Sequence, residues 1–106
     1  MKMEDFKQID IHEAKKILAN KQATLIDIRD PTSFQEAHIQ NAILVTEENI
    51  NSFLRGTDKN QPLICYCYHG FNSQNAAEYF LQNGFKKVYT LKGGFEEWRA
   101  AYPFVS

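Results

Sequence analysis

The chain lacks an apolar run approaching the length of a membrane span, an excess of either charge, and all but two cysteines among its 106 residues. Each shortage excludes something. Without a long apolar run there is no spanning helix, and "MKMEDFKQID" carries acids where a signal peptide would need a continuous hydrophobic region, so the expected location is cytoplasmic. The 12 basic and 13 acidic residues give a net charge of -1 and form no basic stripe, which argues against nucleic acid and anionic membranes as partners. Internal repeats, low-complexity tracts and linkers are absent, and the length suits one domain over residues 1–106, with a monomer as the default state. The cysteines, Cys65 and Cys67, are separated by one residue. On a strand such neighbours hold their Cβ atoms roughly 6.6 Å apart, beyond the ~4 Å of a disulfide. No His/Cys set at ligand spacing accompanies them, so no metal is expected.

What is present is an alternation of short apolar runs with helical patterns, the signature of βα units and a largely parallel sheet. "FKQIDI" reads as a first strand and "HEAKKILAN" as a helix with Ala14, Ile17 and Leu18 on one face. "TLIDI" is a second strand, closed by Asp30 as cap and Pro31 as the opening of a short helix through "TSFQEAH". "NAILV" is a third strand. "TEENINSFLRG" reads as a helix capped by Thr46, with Ile50, Phe53 and Leu54 inward and Gly56 as its stop. "PLICYC" is apolar without alternation, as suits a central strand covered on both faces. "SQNAAEYFLQNG" is helical, with Ala76, Ala77, Phe80 and Leu81 inward, "KVYTL" is the fifth strand, and "GGFEEWRAAY" the last helix. The expected fold is α/β, with a five-stranded, mainly parallel sheet and helices on both faces.

In such sheets ligands gather at the carboxyl ends of the strands. Cys67 ends the fourth strand, Arg29 follows the second, and Lys92 with Gly93 and Gly94 follows the fifth, so all should share one rim. The loop Tyr68, His69, Gly70, Phe71 and Asn72 leads from Cys67 into a helix, and its N–H groups can curl into a cradle that adds to the helix dipole. A thiol set there is expected to be held as thiolate and to act as a nucleophile, with Gly70 allowing the backbone close to it. A buried cysteine is more often a small hydrophobe, and that is the reading for Cys65 in mid-strand. For Cys67 the loop, its glycine and the following helix favour chemistry.

Around that nucleophile, His69 reads equally as a positive neighbour or as a solvent-facing polar residue, since an ordinary imidazole is mostly neutral at pH 7. Lys92 is a candidate for attracting an anion, Arg29 for a structural ion pair with Asp27 or Asp30, and Ser73 for the helix cap, its hydroxyl also being available to the site. Tyr68 and Phe71 would form an apolar wall, Trp98 and Phe95 belong to the core, and His38 packs away from the rim.

Three segments resemble the rhodanese family, in particular its small single-domain bacterial thiosulfate sulfurtransferases: "DIRDPTSFQEAHIQNAI", the six-residue loop "CYHGFN", and "VYTLKGGFEEW". Ala37 and Asn41 stand where the family commonly has glycine. The resemblance implies a three-layer rhodanese-like domain and a ping-pong transfer in which Cys67 takes sulfur from thiosulfate as a persulfide and passes it to cyanide or to a thiol, small or on a protein dithiol such as thioredoxin. It implies no cofactor. Tyr68, His69, Gly70, Phe71, Asn72, Ser73 and Lys92 would bind the substrate. Two rivals remain. A cysteine phosphatase or arsenate reductase would need an arginine to clamp its oxyanion where Ser73 stands. A non-catalytic sulfur-carrier or partner-binding module would use the same persulfide.

Overall fold

The computed structural model describes residues 6–20, 23–70 and 72–106. Its elements alternate along the chain as β1 (Lys7–Ile9), α1 (Ile11–Ala19), β2 (Thr24–Asp27), α2 (Pro31–Glu36), β3 (Ile43–Leu44), α3 (Ile50–Gly56), β4 (Leu63–Tyr66), α4 (Asn72–Gln82), β5 (Val88–Leu91) and α5 (Gly94–Ala101). The strands form one sheet in the order β1-β5-β4-β2-β3, and every pairing is parallel. All carboxyl ends therefore meet at one rim.

Alternation along the strands divides the core in two. Ile64 and Tyr66 of β4 join Leu25, Leu91, Ile9, Phe95 and Trp98 on the face covered by α1 and α5. Leu63 and Cys65 join Ile26, Val88, Ala77 and Phe80 on the face covered by α3 and α4, against which Ile50, Phe53 and Leu54 pack. The result is three layers. Because β4 is central and covered on both sides, all four of its residues are buried, which is why its sequence shows no polar alternation.

Among the element boundaries that differ from the sequence expectation, three have a local reason in capping and turn contacts. Asp10 and Ile11 do not extend the first strand: the Asp10 carboxylate accepts from Glu13 N at 2.8 Å and caps α1, whose first residue is Ile11. Thr46 does not cap α3. Asn49 Oδ1 accepts from Thr46 N at 2.7 Å while its Nδ2 donates to Leu44 O at 2.8 Å, which closes a turn and delays the helix to Ile50. Ser73 is not a cap either, because α4 already includes Asn72 and buries Ser73 in its first turn. Asp30 does cap α2, accepting from Ser33 N and Ser33 Oγ, and these bonds hold its carboxyl below the ordinary carboxylate range. Near the opposite end of the sheet, Asn41 takes φ 71, a left-handed conformation that asparagine tolerates, at one of the two positions where the resembled family commonly has glycine.

Candidate active site

β4 ends at Tyr66, and the ladder with β2 runs one step further: Ile28 N donates to Tyr66 O at 3.0 Å, which sets Ile28 alongside Cys67. Val45 N donates to Asp27 O at 3.0 Å and sets Val45 alongside Ile28. Cys67 thus stands at the rim in a row with two aliphatic neighbours. The residue is 5% exposed.

The chain turns sharply after Cys67, and Gly70 brings its N–H to 3.0 Å from Cys67 Sγ. Several contacts fix that geometry. Gly70 O accepts from Gln74 Nε2 at 3.1 Å and from Ser73 Oγ at 3.4 Å, so the first turn of α4 anchors the carbonyl of the same residue. Gly70 has φ 97, and a Cβ there would lie 3.1 Å from Gly93 N and 3.3 Å from Leu91 O. Only glycine fits without strain. From the other side, Phe95 N donates to Cys67 O at 2.8 Å and Glu96 N to Tyr68 O at 3.0 Å. The first turn of α5 is therefore sewn to the loop backbone. Gly94, at φ 61, permits this approach, since a Cβ on it would fall 2.5 Å from Cys67 O. That task of Gly94 was missed from the sequence, although two glycines opening a helix were a visible sign of close backbone contact.

The other residues named from the sequence are distributed unevenly. His69 turns its Nδ1 to Glu96 Oε1 at 2.7 Å, in a pair whose side chains are 56% and 55% exposed. Tyr68 stacks edge-on against His69 and lines a polar cavity of about 320 Å³ with Arg29, Glu36, Arg99 and Phe104. It is not part of the apolar groove lined by Ile28, Val45 and Ile50 at the same rim. Asn72 is exposed at the start of α4, and Phe71 lies outside the described residues. Lys92 is exposed at the same rim, its amide donating to Ile9 O at 2.8 Å. His38 stacks on Phe34 at 3.8 Å between ring centroids, with Nδ1 2.7 Å from Phe34 O, far along the chain from the loop.

Arg29 is locked. It donates to both Asp27 carboxylate oxygens, the shortest contact being 2.6 Å, and to Ala37 O at 2.6 Å. Burial works against its cation, but the bonds and charge of Asp27 outweigh that and keep its pKa above the ordinary value. The pair closes under the rings of Tyr66 and Phe95, with the guanidinium 5.6 and 4.4 Å from their centroids. Burial, with the Asp27 charge adding to it, pushes the Tyr66 hydroxyl well above the ordinary phenol range, so it stays protonated, and it accepts from Ile39 N at 3.1 Å. Cys65 is fully buried, and burial, with Cys67 as a smaller cause, drives its pKa far up. It is a core thiol.

A cysteine at a strand end, an amide aimed at its sulfur and an eleven-residue helix starting directly behind it make a setting for an anionic sulfur nucleophile. Among the described residues, no three His, Cys, Asp or Glu side chains come together to hold a metal ion. None of the described helices is long and apolar enough to cross a membrane.

The family model for the rhodanese-like domain matches residues 10–101. The chain belongs to the rhodanese family. It is 44% identical over 99 residues to a protein of Vibrio cholerae named thiosulfate sulfurtransferase GlpE, and the match covers 93% of each chain. Solved rhodanese structures share the architecture. A rhodanese-related protein from Thermoplasma volcanium superposes with a TM-score of 0.81 at 23% identity, covering 94% of this chain and 98% of its own. A rhodanese-like domain protein from Staphylococcus aureus gives 0.76 at 29% identity, covering 88% and 91%. The three-layer parallel fold expected from the sequence is the fold found.

Proposed function

We propose that this chain is a rhodanese-type sulfurtransferase that moves sulfane sulfur from thiosulfate to a thiophilic acceptor through a persulfide on Cys67. The observation that carries the reading is the Gly70 N–H directed at Cys67 Sγ at 3.0 Å, in a loop fastened on both sides by helix starts. The similarity to thiosulfate sulfurtransferase GlpE supports thiosulfate as donor. The Cys67 thiolate attacks the outer sulfur of thiosulfate, a Cys67 S–S bond forms, and sulfite leaves with the electron pair of the broken bond. The outer sulfur is then taken by cyanide, giving thiocyanate, or by a thiolate, giving its persulfide, and Cys67 thiolate is regenerated. The main-chain donor can accompany the negative charge as it shifts from Sγ to the outer sulfur and back. Lys92 at the rim would draw in the anionic donor, and His69, held by Glu96, would border the loop. The chemistry calls for no cofactor, and a cytoplasmic setting suits it because the reducing poise there leaves thiols free as acceptors.

A phosphatase reading finds no support in the position that would need arginine: Ser73 is buried in α4 and its hydroxyl donates to Gly70 O. Intact mass spectrometry after incubation with thiosulfate tests the proposal. One added sulfur on the wild type, lost on exposure to a thiol and absent from Cys67→Ser, is the expected result. Loading that survives in Cys67→Ser but fails in Cys65→Ser would overturn the assignment, and phosphate-ester hydrolysis without loading would transfer it to the phosphatases.

A further inference from the structure

Near the rim lies a groove of about 900 Å³, bounded by the end of β2, the turn before α3 and the flank of α4 formed by Asn75, Ala76, Tyr79 and Phe80. Its floor is apolar: Ile28, Val45, Ile50 and Phe80, with Tyr79 as an exposed wall. Cys67 itself does not line the groove; Ile28, which the ladder between β2 and β4 sets alongside Cys67, is the lining residue that brings it near. A small inorganic anion would occupy a minor part of such a volume and would gain nothing from aliphatic walls.

Charge points the same way. The acidic lining residues are Asp30 and Glu47, and the one lining cation, Arg29, is bound to Asp27 and to Ala37 O. The groove therefore presents net negative charge to anything that enters, which disfavours thiosulfate and suits a cation. Apolar walls with an acidic margin describe a seat for a chain segment that carries a bulky apolar side chain next to a lysine or arginine.

We infer that this groove docks the sulfur acceptor, and that the acceptor is a protein whose reactive cysteine lies in a segment with an adjacent large aliphatic residue and a basic residue. The inference rests on the sulfurtransferase reading and specifies its second half-reaction. The apolar side chain settles over Ile28 and Ile50, the basic side chain meets Asp30 and Glu47, and the acceptor thiolate is delivered to the outer sulfur of the Cys67 persulfide. That thiolate forms the new S–S bond, the bond between the two sulfurs on Cys67 breaks, and Cys67 leaves as thiolate. No oxidant or reductant is consumed.

The test uses three synthetic cysteine peptides, identical except that the residues flanking the thiol are leucine and lysine, leucine and glutamate, or glycine alone. With protein preloaded from thiosulfate, the leucine-lysine peptide should take sulfur with a kcat/KM about tenfold above that of the glycine peptide. Tyr79→Ser should reduce that advantage, and Glu47→Lys should reverse the order of the lysine and glutamate peptides. Both are surface changes, and thiosulfate loading followed by intact mass should be unaltered in each. Equal rates for the three peptides on loaded protein, or a preference that both variants leave intact, would overturn the docking proposal while the sulfurtransferase reading stands. Serine counterparts of the peptides, titrated onto unloaded protein with Tyr79 shifts as readout, test the groove without any sulfur chemistry. Tighter binding of the leucine-lysine form supports it, and indifferent binding refutes it even if loading fails.

Discussion

Cys65 lies in the middle of β4 between Ile26 and Thr90 of the neighbouring strands, fully buried, and among the described residues the Thr90 hydroxyl itself has no hydrogen-bond partner. Cys67, two residues further along, has the same element behind it but an amide in front of it and the rim beside it. In mid-strand the backbone donors are spent on the ladders to β2 and β5, so nothing is left to compensate a charged sulfur, and desolvation prevails. At the strand end the ladders stop, the chain turns, and a donor becomes free to face the sulfur. On the proposed reading, what separates the two thiols is whether a backbone donor is left free to face the sulfur.

The widest gap is expected in sulfur loading. Cys65→Ser should still accept one sulfur from thiosulfate and Cys67→Ser should accept none, as read by intact mass. Equal loading in the two would erase the contrast altogether.

A second way to probe the rim is to release the strand next to Cys67. Asp27 is fully buried and the Arg29 side chain is 7% exposed, so Asp27→Ala leaves a buried cation without its partner. A loss of about 3–5 kcal/mol in denaturant unfolding is expected. Replacing both partners, with Asp27→Leu and Arg29→Met together, should recover most of it. If the double variant is no better than the single, the ion pair is not what holds the end of β2 in place.

Next comes the loop donor itself. Gly70→Ala sets a Cβ 3.1 Å from Gly93 N and 3.3 Å from Leu91 O in a left-handed conformation, a strain expected to turn the peptide and weaken its N–H contact with Cys67 Sγ. Sulfur loading should slow about 10²-fold, the usual cost of losing one main-chain or side-chain donor from an anion site. Wild-type rates in Gly70→Ala would mean that the amide is not what distinguishes Cys67 from Cys65.

How much of this contrast was legible in the sequence follows from the range of the interactions involved. The order of strands and helices and the place of Cys67 at a strand end could be read because each depends on local periodicity and on residues next to one another. The unalternating "PLICYC" betrayed a strand covered on both faces, and "DIRD" an ion pair of Arg29 with one of its two aspartates, which the structure makes with Asp27. The start of α3 could not be read, because it is decided by Asn49 reaching back to Leu44 O, a choice invisible in the capping preference of Thr46. Nor could the grip of α5 on the loop, which joins Phe95 and Glu96 to carbonyls of Cys67 and Tyr68 across a wide sequence gap. The acidic groove is assembled from three separated segments, none of which is unusual alone. His69 and Tyr68 illustrate the same limit, since membership of a loop did not reveal that Glu96 and the cavity by Arg29 would take their side chains.

The smallest expected effect is a pH dependence at Cys65. Burial raises its folded-state pKa far above the value of about 8.5 for a free thiol, so the folded protein keeps the proton while the unfolded chain releases it above that pH. The unfolded state then binds fewer protons than the folded one. The contribution of this thiol to stability is accordingly full below about pH 8.5 and declines as pH rises, by up to about 1.4 kcal/mol per unit. Cys65→Ala removes the titration and leaves a small cavity costing about 1 kcal/mol, so the wild type should be the more stable at neutral pH and should lose that lead at about pH 9.2. Denaturant unfolding of the two proteins across this range checks it. Parallel pH curves would show that Cys65 is solvated or ionised in the folded state, and the interior half of the comparison would fall with that result.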